Sequence, residues 1–294
     1  MPPSVTIILP TFNWSGVLPF SIGSALRQTF ADFELLVIGD GCTDDSATVV
    51  GQIADARVRW INLATHVGHQ SGPNSEGQRQ ARGQFVAYLG HDDLWFPHHL
   101  ECLVRAIEGG ADLAFGLTAM VRPDGLTLEP APSRPRYTPG LWVPPTSVVH
   151  RRHVVEHVGG WRHPRGIPID AEADLWRRVH EAGHMIHAVP RLTAIKFPAV
   201  WRKNVYAERP HHEQAAWFER MQSETDLEAK LLGRMLSDAS HRADSARGLL
   251  RSSFDVMAHT IRLQLLRYMP GLYLLAKNAQ RRRHRAFKGL HPRF

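Results

Sequence analysis

The sequence predicts an α/β fold of the doubly wound kind, a Rossmann-like, mainly parallel sheet flanked by helices, followed by a helical C-terminal appendage. Three observations predict it. From residue 4 to about residue 114, short apolar runs alternate with longer amphipathic ones, the pattern of a parallel sheet with helices on its faces. Polar segments follow three of those runs. Beyond about residue 210 the apolar positions fall at helical spacing alone.

The strands are expected at residues 5–9, 34–38, 58–62 and 84–89. Between them, residues 17–28 and 75–82 have helical spacing, and Pro97 opens a further helix where proline costs no hydrogen bond. In such sheets ligands bind beyond the carboxyl ends of the strands. Residues 10–13, 39–44 and 90–93 should therefore converge on one crevice. Residues 124–145, rich in Pro, Gly and Arg, read as an irregular surface passage or mobile loop. Patterning resumes with Val148-Val149, the turn Gly159-Gly160 and a helix over residues 174–182 carrying Leu175, Trp176 and Val179 on one side. The helical region shows apolar positions at Leu227, Leu231 and Met235, then Leu249, Phe254, Met257, Ile261 and Leu265.

With 294 residues, 43% of them hydrophobic, the chain can bury a substantial core, which excludes a disordered or fibrous protein. Lys and Arg number 35 against 28 Asp and Glu, a net charge of +7, so anionic partners are favoured. The excess crowds into Arg281, Arg282, Arg283, His284, Arg285 and Lys288, a basic tail suited to a polyanion or an anionic membrane surface. The apolar positions of residues 249–265 fit a helix lying on such a membrane; packing on the main domain or on a second subunit, as a homo-oligomer, is the alternative. Nucleic acid is disfavoured, because the basic residues lack interleaved aromatics and lie outside the patterned domain.

Cys42 and Cys102 are too few for a disulfide framework and lack metal-ligand spacing, so a reducing, cytoplasmic setting is expected. No basic leader precedes the first apolar run. The most apolar late stretch, around residues 263–275, contains Arg267 and Pro270, so a soluble or peripheral protein is expected.

The chemistry is concentrated at Gly90-His91-Asp92-Asp93, where a buried strand opens into the crevice. Two adjacent carboxylates there are costly unless a divalent cation neutralises them, and hard oxygen ligands suit Mg²⁺ or Mn²⁺. Helix capping by Asp92 or Asp93 is the alternative. Asp40 closes the second strand, where a carboxylate can accept from a base or ribose donor; a plain Asp-Gly turn is the alternative there.

The order of Pro10-Thr11-Phe12-Asn13, Gln28-Thr29-Phe30, Asp40-Gly41-Cys42-Thr43-Asp44 and Gly90-His91-Asp92-Asp93 resembles glycosyltransferase family 2. The likeness continues through residues 147–151, Gly159-Gly160-Trp161 and Asp170-Ala171-Glu172-Ala173-Asp174-Leu175-Trp176, spanning residues 4–198. It implies a GT-A fold: a catalytic domain at residues 1–205, with a nucleotide-sugar half to about 115 and an acceptor half from 116, and a helical region at 206–294. It also implies an inverting transferase moving a sugar from a nucleoside-diphosphate sugar, UDP-linked by preference, to a carbohydrate or glycoconjugate acceptor.

Residue by residue, the resemblance places Thr11, Asn13 and Asp40, with Pro10 beside them, on the nucleoside. Asp92 lies by the ribose or metal, and Asp93 ligates the metal. Glu172 falls at the general base, with Asp170 and Asp174 as fallbacks. Apart from the resemblance, Arg79, Arg82, His66 and His69 are basic residues that could assist at the diphosphate, with surface solvation as the alternative. Trp95 and Trp161, read as loop residues near the crevice, are candidates for stacking on acceptor sugars, while Trp176 reads as core. His91 is read either as a further metal ligand or as a solvent-facing loop residue. The chain departs from the family at Gly90 and Gly39, both usually aspartate. The readings set against this one are a silent sugar-nucleotide binder and a nucleotidyltransferase, though residues 10–16 lack the Gly-rich phosphate loop of the latter.

Overall fold

The structure, a computed structural model, describes residues 1–130, 137–165, 167–244, 283 and 286–289. Its strands are β1 (Val5–Thr11), β2 (Phe33–Gly39), β3 (Val58–Asn62), β4 (Phe85–Tyr88), β5 (Leu94–Trp95), β6 (Leu113–Arg122), β7 (Gly125–Glu129), β8 (Val148–Arg151) and β9 (Ile186–Lys196). They form one sheet in the order β3-β2-β1-β4-β8-β6-β9-β5, with β7 paired to β6. The helices are α1 (Leu18–Leu26), α2 (Ser46–Gly51), α3 (Ser71–Gln80), α4 (His99–Glu108), α5 (Arg152–His157), α6 (Ala171–Glu181), α7 (Val205–Glu208), α8 (His212–Ser223) and α9 (Leu227–Asp244).

β1 lies between β2 and β4, parallel to both, and its apolar residues are buried whichever face they point to. Val5, Ile7 and Leu9 enter a core with Leu18 and Ile22 of α1 and Leu100, Leu103 and Ile107 of α4. Ile8 points the other way, into a core with Leu36, Val86, Tyr88 and, from α6, Leu175, Trp176 and Val179. Two cores sandwich the sheet, so the carboxyl ends of β1, β2 and β4 emerge together at one rim. After β4 the sheet becomes mixed, with β8 antiparallel to β4 and β6, and β9 parallel to β6.

Residues 124–145 differ in part from the expected irregular passage: residues 137–144 are irregular as expected, residues 131–136 lie outside the described residues, and residues 125–129 are a strand. β7 forms a hairpin with β6, turning at Pro123 and Asp124 into Gly125, whose φ of +142° suits glycine. Leu126 is buried against α9, and Leu141 and Val143 join the second core. The Pro and Gly content marked the turns and masked the short apolar stretches between them. α3 starts four residues earlier than expected, since Pro73 sits in its first turn, where no hydrogen bond is lost.

Helices follow residue 205 as expected, and Leu227, Leu231 and Met235 of α9 are buried with Leu94, Leu192 and Phe197. The expectations at Leu249, Phe254, Met257, Ile261 and Leu265, and the basic residues Arg281, Arg282, His284 and Arg285, lie outside the described residues. Among the described residues, no helix is long and apolar enough to cross a membrane.

Candidate functional site

The crevice at the sheet rim is built from the ends of β1, β2 and β4 on one side and the first turn of α6 and the end of β9 on the other. Asp93 is fully buried. Its Oδ2 accepts from Lys196 Nζ at 2.8 Å and its Oδ1 from the Phe197 N–H at 3.3 Å. The expected metal ligand is thus already paired with a cation that closes β9. Asp92, 8% exposed, has its pKa raised by burial, against which the charges of Lys196, Arg202 and Lys288 act. Burial also works against the charge on Lys196, but Asp93 and Asp92 hold it protonated, with a raised pKa.

Neither expected reading of His91 describes its place, for it is buried and has a role inside the fold. Its Nδ1 lies 3.0 Å from Thr11 Oγ1 and its ring meets Trp14 edge-on at 5.2 Å, joining the ends of β1 and β4. Burial lowers its pKa to about 4, so the ring is neutral at physiological pH.

On the nucleotide side, Asp40 Oδ1 and Oδ2 accept from the N–H groups of Val67 and Gly68, each at 2.8 Å. This carboxylate shapes the loop after β3, and His66 in that loop stacks on Phe12 at 3.8 Å. Asn13 adopts a φ of +46°, and its Oδ1 accepts from the N–H groups of Thr43 and Asp44, binding the ends of β1 and β2 to each other. Pro10 and Thr11 end β1 at the same rim. Arg79 is elsewhere: it is exposed near the C-terminal end of α3, paired with Glu76 at 2.7 Å. A helix after a parallel strand runs back from the crevice, so its last turn lies about 12 Å from its first, and the diphosphate expectation for Arg79 fails on distance.

On the acceptor side, Asp170 stands at the N-cap position of α6, without a side-chain capping bond, and Glu172 sits in its first turn. Glu172 accepts from Trp142 Nε1 and Gln70 Nε2, both at 3.3 Å, so groups from both sides of the crevice hold it. Burial first, and the neighbouring charge of Asp170 next, raise its pKa, against which Lys196 and the Trp142 bond act. Asp174 is committed elsewhere: it is 1% exposed and its Oδ2 accepts from Arg178 Nε at 2.8 Å. It is removed as a fallback base.

The acceptor-stacking expectations for Trp95 and Trp161 also fail, whereas Trp176 is core, as expected. Trp95 is 1% exposed in β5, donating from Nε1 to the Thr146 carbonyl and stacked on His99. Trp161 is buried against Tyr88 and Trp176. Both were read as loop residues because their segments carry turn signals, but apolar flanks draw them inward. Sequence reasoning also passed over Lys196 and Trp142. The signal for Lys196 is a lone cation ending the run Leu192-Thr193-Ala194-Ile195; for Trp142 it is the apolar triplet Leu141-Trp142-Val143.

The two glycine departures have one physical form. A Cβ on Gly90 would lie 2.5 Å from Asp93 Oδ2, and one on Gly39 would lie 2.4 Å from Asn62 Oδ1. Each vacated space holds another polar group, itself anchored: Asp93 by Lys196, and Asn62 by the Cys42 N–H and carbonyl.

Residues 6–154, about half of the chain, match the profile described as Glycosyl transferase family 2. The chain belongs to that family. It is 34% identical, over 33% of its length and 38% of the relative's, to an Escherichia coli UDP-Glc:α-D-GlcNAc-diphosphoundecaprenol β-1,3-glucosyltransferase. A Campylobacter jejuni GalNAc(5)-diNAcBac-PP-undecaprenol β-1,3-glucosyltransferase is 30% identical over 43% of this chain and 42% of its own. The matched stretches span well under half the length of these relatives. Among solved structures, S. aureus TarS 1-349 in complex with UDP-GlcNAc superposes with a TM-score of 0.59 at 17% identity, covering 79% of this chain and 71% of that one. At that identity the likeness is one of fold, and it is the GT-A arrangement expected from the resemblance.

Proposed function

We propose that this family 2 chain is an inverting glycosyltransferase that moves a sugar from a UDP-sugar to a hydroxyl of a carbohydrate acceptor, lipid-linked as in the names of the E. coli and C. jejuni relatives. The observation that carries this reading is Glu172. A carboxylate with a raised pKa, held by Trp142 and Gln70 from opposite sides of the crevice, is suited to take a proton from an acceptor hydroxyl. As that oxygen attacks the anomeric carbon, the bond to the nucleoside diphosphate breaks, and attack from the opposite face inverts the centre. Trp142, beside Glu172, is the aromatic available to the acceptor.

The nucleoside seats against Pro10, Thr11 and the loop that Asp40 holds, with Asn13 fixing the turn beside it. Among the described residues no group of three or more His, Cys, Asp or Glu could hold a metal, and Asp93 is occupied by Lys196. Asp92 would be the residue to hold a Mg²⁺ or Mn²⁺ ion together with the donor, and such an ion would supply charge neutralisation for the leaving diphosphate. Asp93 and Lys196 then serve as the rigid floor beneath Asp92. Residues 1–205 form the catalytic unit, with the following helices appended and a peripheral, cytoplasmic-face position suiting a lipid-linked acceptor.

The test is UDP release from a panel of UDP-sugars with Mn²⁺, by the wild type and by Glu172→Gln. Release by the wild type is expected, with turnover reduced about 10²–10⁴-fold in the variant and UDP affinity unchanged. Full turnover in Glu172→Gln would remove it as the base. UDP binding with no release from any donor would favour a silent binder.

A further inference from the structure

The last described residues return to the site. Beyond β9 the chain runs along the crevice mouth into α7, where Val205 packs with Trp14 and Val17, and the Tyr206 ring meets Trp14 at 5.5 Å and His91 at 6.4 Å. α7 therefore lies beside the loop that carries Asp92. The chain enters α7 through Asn204, in the left-handed region at φ +53°, and the first N–H groups of a helix have no partner within it. Here the C-terminal segment supplies partners. The Asn204 N–H donates to the Phe287 carbonyl at 2.6 Å, and the Tyr206 N–H donates to the Lys288 carbonyl at 2.9 Å. Gly289 turns away at φ +78°, so close that a Cβ there would lie 2.8 Å from the Ala207 Cβ. Ala286, Phe287 and Gly289 are exposed, whereas Lys288 is half-buried, and its charge acts on the buried carboxyl of Asp92.

We propose that Lys288 is a diphosphate-binding residue, delivered to the crevice by the docking of residues 286–289 on α7. The inference rests on the reading of the crevice as a nucleotide-sugar site and goes beyond it. A nucleoside diphosphate brings several negative charges toward Asp92 and Glu172, which are themselves anionic when working. Lys196 and Arg202 also act on Asp92, both from the stretch of chain that closes β9 and leads into α7. Lys288 adds a cation carried by a separate segment, so part of the charge that holds the leaving group comes from the far end of the chain.

The experiment is calorimetric titration of UDP and of uridine, with Mg²⁺, into the full chain and three variants. Lys288→Ala should weaken UDP about tenfold to a hundredfold, the range for a bond to a charged group, and leave uridine binding unchanged. Lys288→Arg should restore most of the UDP affinity. Gly289→Val, which cannot keep the turn against Ala207, should reproduce the Lys288→Ala loss with the lysine still present. Unchanged UDP affinity in Lys288→Ala overturns the proposal, as does an equal loss for UDP and uridine, which would mean general damage to the site. A wild type that binds neither compound overturns the nucleotide-sugar reading and this inference with it.

Discussion

Two acidic clusters face the crevice, Asp92-Asp93 after β4 and Asp170 to Asp174 at the start of α6, and each divides its labour in the same way. One carboxylate is buried and tied to a cation and the other is left at the crevice. Asp93 is held by Lys196 and Asp92 is left; Asp174 is held by Arg178 and Glu172 is left. The difference lies in where the cation comes from. Arg178 is four residues from Asp174 on one helix, whereas Lys196 is 103 residues from Asp93. An anchor of the first kind forms with its helix. One of the second kind exists only when β9 has paired with β5, which sets Asp93 opposite Lys196.

Removing the two cations breaks this comparison most severely. Lys196→Met and Arg178→Met should each cost about 3–5 kcal/mol, since each takes the nearest cation from a buried carboxylate, Asp174 keeping only Arg177 at 3.3 Å. Urea unfolding measures both. Adding Asp93→Asn should recover most of the loss in Lys196→Met, because the carboxylate is the main group stranded. Adding Asp174→Asn should recover less in Arg178→Met, since Arg178 also donates to the Val158 and Gly160 carbonyls. Equal recovery would show that the two anchors do not differ.

A smaller effect is expected at Gly90. Alanine there must displace an Asp93 oxygen that Lys196 holds, so Gly90→Ala should cost about 1–3 kcal/mol by the same unfolding measurement. Gly51, with nothing within 4 Å of an added Cβ, is the control and should tolerate alanine. Tolerance at both positions would mean that Asp93 is not rigidly held.

The smallest effect sharpens the acceptor cluster. Glu172 works deprotonated and its pKa is raised, so turnover should fall as pH drops through a limb above the ordinary glutamate range. Asp170→Asn removes one of the charges that raise it and should move that limb to lower pH. Trp142→Phe removes a bond that lowers it and should move the limb to higher pH. A limb that stays in place in both variants, in a pH profile of kcat/KM, would separate Glu172 from the rate.

Much of the nucleotide half was legible because it is local. Strands 5–9, 34–38 and 84–89 read as apolar runs since both faces of a parallel sheet are covered, and Asp40 and Asp92 stand where those runs stop. The acceptor half was less so. Its pairings are mixed in direction, with β8 antiparallel to β4 and β6 and β9 parallel to β6 from far along the chain, β7 hides between turn residues, and Trp95 and Trp161 lie in segments whose composition suggests loops but whose neighbours form the core.

The sequence by itself determined the order of strands and helices around β1, the family, and the two acidic clusters, because hydrophobic period and short motifs are properties of neighbouring residues. Only the tertiary structure decided which carboxylate in each cluster is paired with a nearby cation, and that residues 286–289 dock on α7. Those facts depend on charges meeting across many residues, and a buried ion pair is specified by the space the fold leaves for it, not by the spacing of its members along the chain.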